Sequence, residues 1–457
     1  MLKYIFLFII PFSAFGQISK NVNLLFNWND TTLVGSSQYD NTYNEVWGVA
    51  INGREYAIIG STAGTHIFDV TDPVNAYLAD FVPGAAQGGG IVHRDYDDYK
   101  GFLYMVCDEG ASTLQIADLN YLPDSVKVVY DSDALFKTSH NTFIDTAKAK
   151  LYVCGPGKNS SIQSLFVYSL KDPVNPKFIY SYSGTDYVHD CYVRNDTAYL
   201  NAGAEGLRIV DFSDTLTYVT LGSLTTYPYQ GYNHSGDLSE NGKYYIFCDE
   251  NAGNDLKIYD VSDPSDLKLM DTFNSGVDPG SIVHNVLIKG DFAYCSYYFD
   301  GARIFYIGDP SNVVQTGYYD TYPENDYNML YKGSWGVFPY LPSGILLAAD
   351  MQYGLFVLDP IMALNAIPEQ EYISSDLDVY PNPFSEKIII KGFSPYNSFQ
   401  HAEIFSMDGR KLFEFFNDMP QESYCVTVPQ YIETGILILK ISTQKNIFVK
   451  KLVRVSD

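Results

Sequence analysis

Apolar residues in this chain come in short bursts closed by turn residues. Tyr56-Ala-Ile-Ile59, Phe102-Leu-Tyr-Met-Val106, Leu151-Tyr-Val153, Tyr244-Tyr-Ile-Phe247 and Ile345-Leu-Leu347 are each followed by a Gly-containing turn. Runs of this length between punctuating residues predict strands. A second kind of burst ends in a fixed polar signature: Thr65-His-Ile-Phe-Asp-Val-Thr-Asp-Pro73, Leu207-Arg-Ile-Val-Asp-Phe-Ser-Asp214, Leu256-Lys-Ile-Tyr-Asp-Val-Ser-Asp-Pro264, Ala302-Arg-Ile-Phe-Tyr-Ile-Gly-Asp-Pro310 and Leu355-Phe-Val-Leu-Asp-Pro360. Asp-Pro after a strand is turn chemistry, because proline cannot donate to a continuing ladder.

These bursts belong to a repeat. Trp47, His93, His140, His189, His234, His284 and Trp335 each open a unit, at intervals of 45 to 51 residues. That period is the length of a four-stranded propeller blade. The seventh unit has no fourth strand after Pro360, whereas Asn21-Val-Asn-Leu-Leu-Phe26, ahead of the first unit, has strand character. Joining the two ends in one blade closes the ring and removes an exposed edge. The expectation is an all-β chain: a seven-bladed β-propeller over residues 17–360, a linker over 361–375, and a small Ig-like β-sandwich over 376–457.

Composition agrees with strands and turns. Tyr 40, Phe 28, Gly 35 and Pro 21 in 457 residues favour short strands with many turns. A net charge of −25 argues against nucleic acid or an anionic membrane as partner. It also raises calcium as a possible cofactor, although no D-x-D-x-D-G loop is present. Residues 1–16 read as a signal peptide: Lys3, the apolar Tyr4-Ile-Phe-Leu-Phe-Ile-Ile10, then Ala14-Phe-Gly16 before the cut. No later apolar run reaches about 18 residues, so no transmembrane span is expected. Cys107, Cys154, Cys248 and Cys295 recur at like positions of successive units, which favours buried thiols over bridges.

The recurring Leu/Ala-x-Ile-Val/Phe/Tyr-Asp-Val/Phe-Ser/Thr-Asp-Pro strand resembles the LVIVD-repeat proteins, and residues 20–360 resemble the secreted choice-of-anchor B family. The resemblance implies the propeller and carries no defined activity. Leu377-Asp-Val-Tyr-Pro-Asn-Pro-Phe384, Ala402-Glu-Ile-Phe-Ser-Met-Asp-Gly-Arg-Lys-Leu412, Gly435-Ile-Leu-Ile-Leu-Lys440 and Phe448-Val-Lys-Lys-Leu-Val-Arg454 resemble the type A C-terminal sorting domain of the type IX secretion system. This second resemblance implies the secretion machinery as partner and, as destination, the medium or the outer face of a Gram-negative outer membrane.

Five of the seven histidines, His93, His140, His189, His234 and His284, share one register. The first strand of each blade lies nearest the axis, so these imidazoles are expected to ring the channel, with Trp47 and Trp335 side by side in the two remaining places. Converging imidazoles suit a transition metal; a recurrent histidine is equally a structural residue copied with the repeat. Asp108, Glu109, Asp249 and Glu250 follow second-strand cysteines and are candidate ligand-binding or metal-supporting groups, or turn caps. Asp95, Asp190 and Asn285 lie within two residues of ring histidines. No nucleophile-elbow, zincin, Walker or Rossmann motif is present. Two function classes stay open: a secreted or surface binding module for an unknown protein or glycan, and a metal-dependent hydrolase or oxidoreductase acting at the ring.

Overall fold

The computed structural model describes residues 18–214, 216–324, 331–366, 377–392, 399–407, 409–416, 423–443 and 447–456. Residues 1–16, expected above to be a signal peptide, lie outside the described residues. The chain divides into two compact units, residues 1–367 and 368–457.

In the first unit seven four-stranded antiparallel sheets follow one another. Their first strands are Tyr43–Ile51, Arg94–Tyr99, Asn141–Asp145, Asp190–Arg194, Asn233–Leu238, Asn285–Lys289 and Ser334–Phe338. Each first strand neighbours the next, and the seventh neighbours the first, so the sheets form a closed ring. The fourth strand of the seventh sheet is Asn23–Trp28, paired antiparallel with Gly354–Asp359 in the register Asn23↔Asp359 and Trp28↔Leu355. Ser19–Lys20 adds a fifth strand to the sixth sheet. N-terminal segments thus complete the last two sheets and leave the ring no free seam.

Burial explains the apolar bursts. Second and third strands are covered on both faces, as in Arg54–Ser61 and the wholly buried Gly64–Asp69. Fourth strands such as Lys127–Ser132 form the half-exposed outer edge. The core lies between consecutive sheets: Ala57, Ile59 and Phe68 of the first meet Leu347, Leu355 and Val357 of the seventh. The polar signature is two turns in series. Asp69, Asp211 and Asp260 each accept the backbone N–H two residues on, at 3.0, 2.7 and 2.9 Å; Asp263 and Asp309 then do the same for Ser265 and Ser311. These side chains satisfy donors that leave the ladder where the strand ends.

Residues 361–366, read above as linker, belong to the ring. Ile361–Asn365 is a short helix whose Ala363 is buried and donates its N–H to the Asn21 carbonyl at 3.0 Å. Among the described residues no disulfide is formed: Cys107, Cys154, Cys191, Cys248 and Cys295 are buried thiols and Cys425 is exposed. Cys191, absent from the recurrent set above, sits 3.5 Å from Cys154 in the neighbouring sheet.

The second unit pairs a three-stranded sheet (Asp378–Tyr380, Lys387–Lys391, Ser423–Thr427) with a four-stranded one (Lys411–Phe416, Phe399–Ser406, Gly435–Thr443, Ile447–Arg454). Ile388, Ile390 and Val426 from one sheet and Ile404, Leu439 and Ile441 from the other share a single core.

Candidate functional site

The five register-matched histidines converge. Ring centroids are 4.8 Å apart for His93 and His140, 4.0 Å for His140 and His189, 4.0 Å for His189 and His234, and 4.5 Å for His234 and His284. Trp335 closes the circle, 4.6 Å from His284 and 5.2 Å from His93. Trp47 is not in it. Its ring packs on Phe338 at 4.8 Å, and its Nε1–H donates to Asp98 at 3.0 Å. The Trp-Gly-Val of residues 47–49 only mimics that of 335–337. Trp335 sits at a bulge between the Ser334↔Asp350 and Gly336↔Ala349 pairs, whereas Trp47 is a regular partner of Ile58. The equivalent bulge in the first sheet holds Asn44 and Glu45, and Asn44 is buried with its amide donating to the Val92 carbonyl at 3.0 Å.

Four of the five imidazoles are held through Nδ1. His140 Nδ1 meets Asp108 at 2.9 Å and His93 Nδ1 meets Glu109, whose second oxygen also accepts the Val92 and His93 N–H groups at 3.1 and 3.0 Å. His189 Nδ1 donates to the His234 carbonyl at 3.1 Å, and His284 Nδ1 donates to that of Trp335. His234 Nε2 lies 3.5 Å from Glu250, which also accepts the Tyr298 hydroxyl at 2.5 Å, while His234 Nδ1 is buried with no hydrogen-bond partner. Of the two acid pairs singled out in the sequence, Asp108, Glu109 and Glu250 therefore reach the ring. Asp249 does not: it is wholly buried in an ion pair with Lys257 at 2.6 Å.

Charge in the ring is uneven. Burial opposes the His140 cation, but the Asp108 hydrogen bond and charge, helped by Glu250 and Asp95, raise its pKa. His189 and His234 are driven well below the ordinary range by burial and by neighbouring imidazoles. Burial likewise takes His284 down to about 3. Burial lifts the Glu250 carboxyl to about 7. Packed imidazoles thus stay neutral except where a carboxylate supports the proton.

On one side of the ring a space of about 90 Å³ is lined by Tyr39, Tyr298 and Tyr331. On the other side a polar layer of Glu45, Asp95, Asn141, Asp190 and Asn285 leads into a cavity of about 380 Å³, walled by Trp47, Phe143, Tyr192 and Tyr340 with Asp97, Asp237 and Arg194. Several of these acids staple adjacent sheets: Asp95 accepts Thr142 N–H at 2.7 Å, Asp97 accepts Ile144 N–H at 2.6 Å, and Asp237 accepts Ile288 N–H at 2.7 Å. Burial, with the Asp95 charge, pushes Glu45 and Asp190 up to about 8; burial alone takes Asp95 and Asp237 to about 6 against their hydrogen bonds. The cavity was not foreseen from the sequence. Its signal was the position two residues further along each first strand, Trp47, Asp97, Phe143, Tyr192 and Asp237, where side chains return to the axis.

Residues 378–455 match the secretion system C-terminal sorting domain family. The tail is a type IX sorting domain. Its presence marks the chain as cargo of that system and the secretion machinery as its partner. No helix among the described residues is long and apolar enough to cross a membrane. The chain is similar in structure to U3-55K (TM-score 0.53, 9% identity, 74% of this chain and 98% of that chain). It is also similar to the RRP9 WD40 repeats (0.52, 9%, 74% and 96%) and to the β-propeller domain of Myceliophteria thermophila Cps50 (Swd1) (0.51, 12%, 74% and 98%). Identities this low show the fold alone, a β-propeller of the WD40 kind. No curated protein matches the sequence.

Proposed function

We propose that this protein is a secreted or cell-surface seven-bladed β-propeller of the LVIVD, choice-of-anchor B kind that binds a glycan in its axial cavity. Residues 1–16 serve as signal peptide, 17–360 as the binding module, and 376–457, an Ig-like sandwich, as the type IX address. The observation that carries the glycan reading is the 380 Å³ cavity, which combines the aromatic faces of Trp47, Phe143, Tyr192 and Tyr340 with the carboxyls of Asp97 and Asp237. Its volume is in the range of small-ligand sites. Sugars offer apolar ring faces to aromatics and hydroxyls to carboxyls. Burial, the largest cause, raises the Asp97 carboxyl well above its ordinary range and so disfavours its charged form, which suits a neutral ligand better than an ionic one.

The test is a glycan survey of the purified exported protein, followed by titration of the best binder against Tyr192→Ala and Phe143→Ala. A loss of about tenfold or more in each supports the reading. Wild-type protein that retains no glycan, or binding indifferent to both variants, refutes it. Export is tested separately by deleting residues 376–457: the truncated chain accumulates inside the cell if the address works, and normal levels at the surface or in the medium overturn it.

A further inference from the structure

We infer that His140, His189 and His234 form a binding site for one divalent transition-metal ion of the zinc or copper class. The inference stands on the ring itself and goes beyond the glycan reading, which concerns the other side of the polar layer. Candidate ligand atoms of these three residues lie within 4.8 Å of one another. They stand at the starts of three successive first strands, and their rings are the closest spaced in the circle, 4.0 Å between each neighbouring pair.

The tautomers favour a ligand. A carbonyl oxygen only accepts, so the bond from His189 Nδ1 to the His234 carbonyl at 3.1 Å places the proton on Nδ1 and the lone pair on Nε2. His140 presents the same arrangement with a carboxylate, Asp108, 2.9 Å from Nδ1. Imidazoles that ligate metals characteristically donate their second N–H to a carbonyl or carboxylate in this way, which fixes ring orientation and raises basicity. The third histidine, His234, is buried within the same set, at 4% exposure.

Glu250, 3.5 Å from His234 Nε2, stands beside this set as a fourth donor, through oxygen, or as the partner that orients His234. Metal–imidazole bonds of about 2.0–2.1 Å bring tetrahedral ligand nitrogens to roughly 3.4 Å apart, so closure around an ion needs ring movements on the order of 1 Å. Nitrogen-rich donor sets favour zinc and copper over calcium or magnesium, which take oxygen. The ring therefore carries no expectation of calcium.

The test uses the full exported chain, stripped with chelator and dialysed against Zn(II) or Cu(II), with bound metal counted by mass spectrometry. One ion per chain is expected, and the Cu(II) form should show nitrogen hyperfine structure in its EPR spectrum. His189→Ala should abolish stoichiometric binding, and Asp108→Asn should weaken it about 10–100-fold. His189→Asn keeps an N–H at the Nδ1 position for the His234 carbonyl and serves if the alanine variant does not fold. His401→Ala in the tail, where His401, Glu403 and Glu414 also cluster, should change nothing. Wild-type protein without stoichiometric metal, metal that survives His189→Asn, or metal lost in His401→Ala would each overturn the assignment.

Discussion

Lys257→Met should be among the most damaging single substitutions in the ring. Lys257 and Asp249 are both fully buried, their charges 2.6 Å apart. The ammonium also donates to the Asp255 carbonyl at 2.8 Å, and the carboxylate accepts the Tyr227 hydroxyl at 2.6 Å. Methionine keeps most of the lysine stem but removes its charge, leaving Asp249 in the interior with one neutral donor. Breaking a buried pair on one side costs about 3–5 kcal/mol, because the remaining charge has lost both water and partner. Removing both charges, as in Lys257→Met with Asp249→Leu, discards the desolvation cost along with the attraction and should return to within about 1–2 kcal/mol of the wild type. The double variant should therefore be about 2–3 kcal/mol more stable than Lys257→Met alone, and the two single effects should not add. Trp28, Trp47 and Trp335 all lie in the first unit, so tryptophan fluorescence during urea unfolding reports on the ring alone. A Lys257→Met variant within about 1 kcal/mol of the wild type, or single effects that simply add in the double variant, would refute this account of Asp249.

Three further outcomes follow from the same structure. Burial raises Asp237 from 3.8 to about 6, so the folded state holds this proton more tightly than the unfolded chain; the stability it contributes is complete below pH 4 and is lost as pH rises through 6. Asp237→Asn should flatten that decline, by up to about 3 kcal/mol between pH 4 and 7, and an unchanged stability profile across that range counts against it. At Gly222 an added Cβ would lie 1.8 Å from the Pro264 carbonyl oxygen, where the fourth and fifth sheets meet; Gly222→Ala should cost about 1–3 kcal/mol, and a neutral result in thermal unfolding shows that the sheets can part there. Trp47→Phe removes the donor to Asp98 and should cost about 1–3 kcal/mol with metal uptake unchanged; reduced uptake would place Trp47 in the ring after all.

The repeat made the architecture legible, since Asp-Pro turns and apolar bursts at a steady interval leave few alternatives to a ring of four-stranded sheets. The imidazole register was legible for the same reason. Trp47 misled because Trp-Gly-Val occurs twice in different registers: Trp335 lies at the bulge of the seventh sheet, whereas the bulge of the first sheet holds Asn44 and Glu45 and Trp47 comes after it, paired regularly with Ile58. Asp249 misled because Cys-Asp-Glu occurs twice and was read as one feature. Only the structure shows that in the fifth sheet Lys257 draws the aspartate inward while Glu250 faces the ring. The large cavity was hidden because its lining has no common residue type, only a common position.

Departures from the repeat are what make the ring asymmetric. The second and fifth sheets end their second strands in acids, and Asp108, Glu109 and Glu250 support His140, His93 and His234. The third and fourth sheets place Gly155 and Gly203 there instead. A Cβ at either would come within 2.6 Å of the ring of Tyr187 or Tyr232, so these tyrosines occupy the space that an acidic side chain would need. His189, between them, has Tyr187 and Tyr232 at 6.2 and 5.3 Å and no carboxylate, and its second nitrogen turns to a backbone carbonyl. His189 and His284 each turn Nδ1 to the carbonyl of the ring residue in the next sheet, whereas His93 and His140 turn theirs to carboxylates. The repeat therefore copies the imidazole, and the group that orients it changes with the residues at the end of each neighbouring second strand.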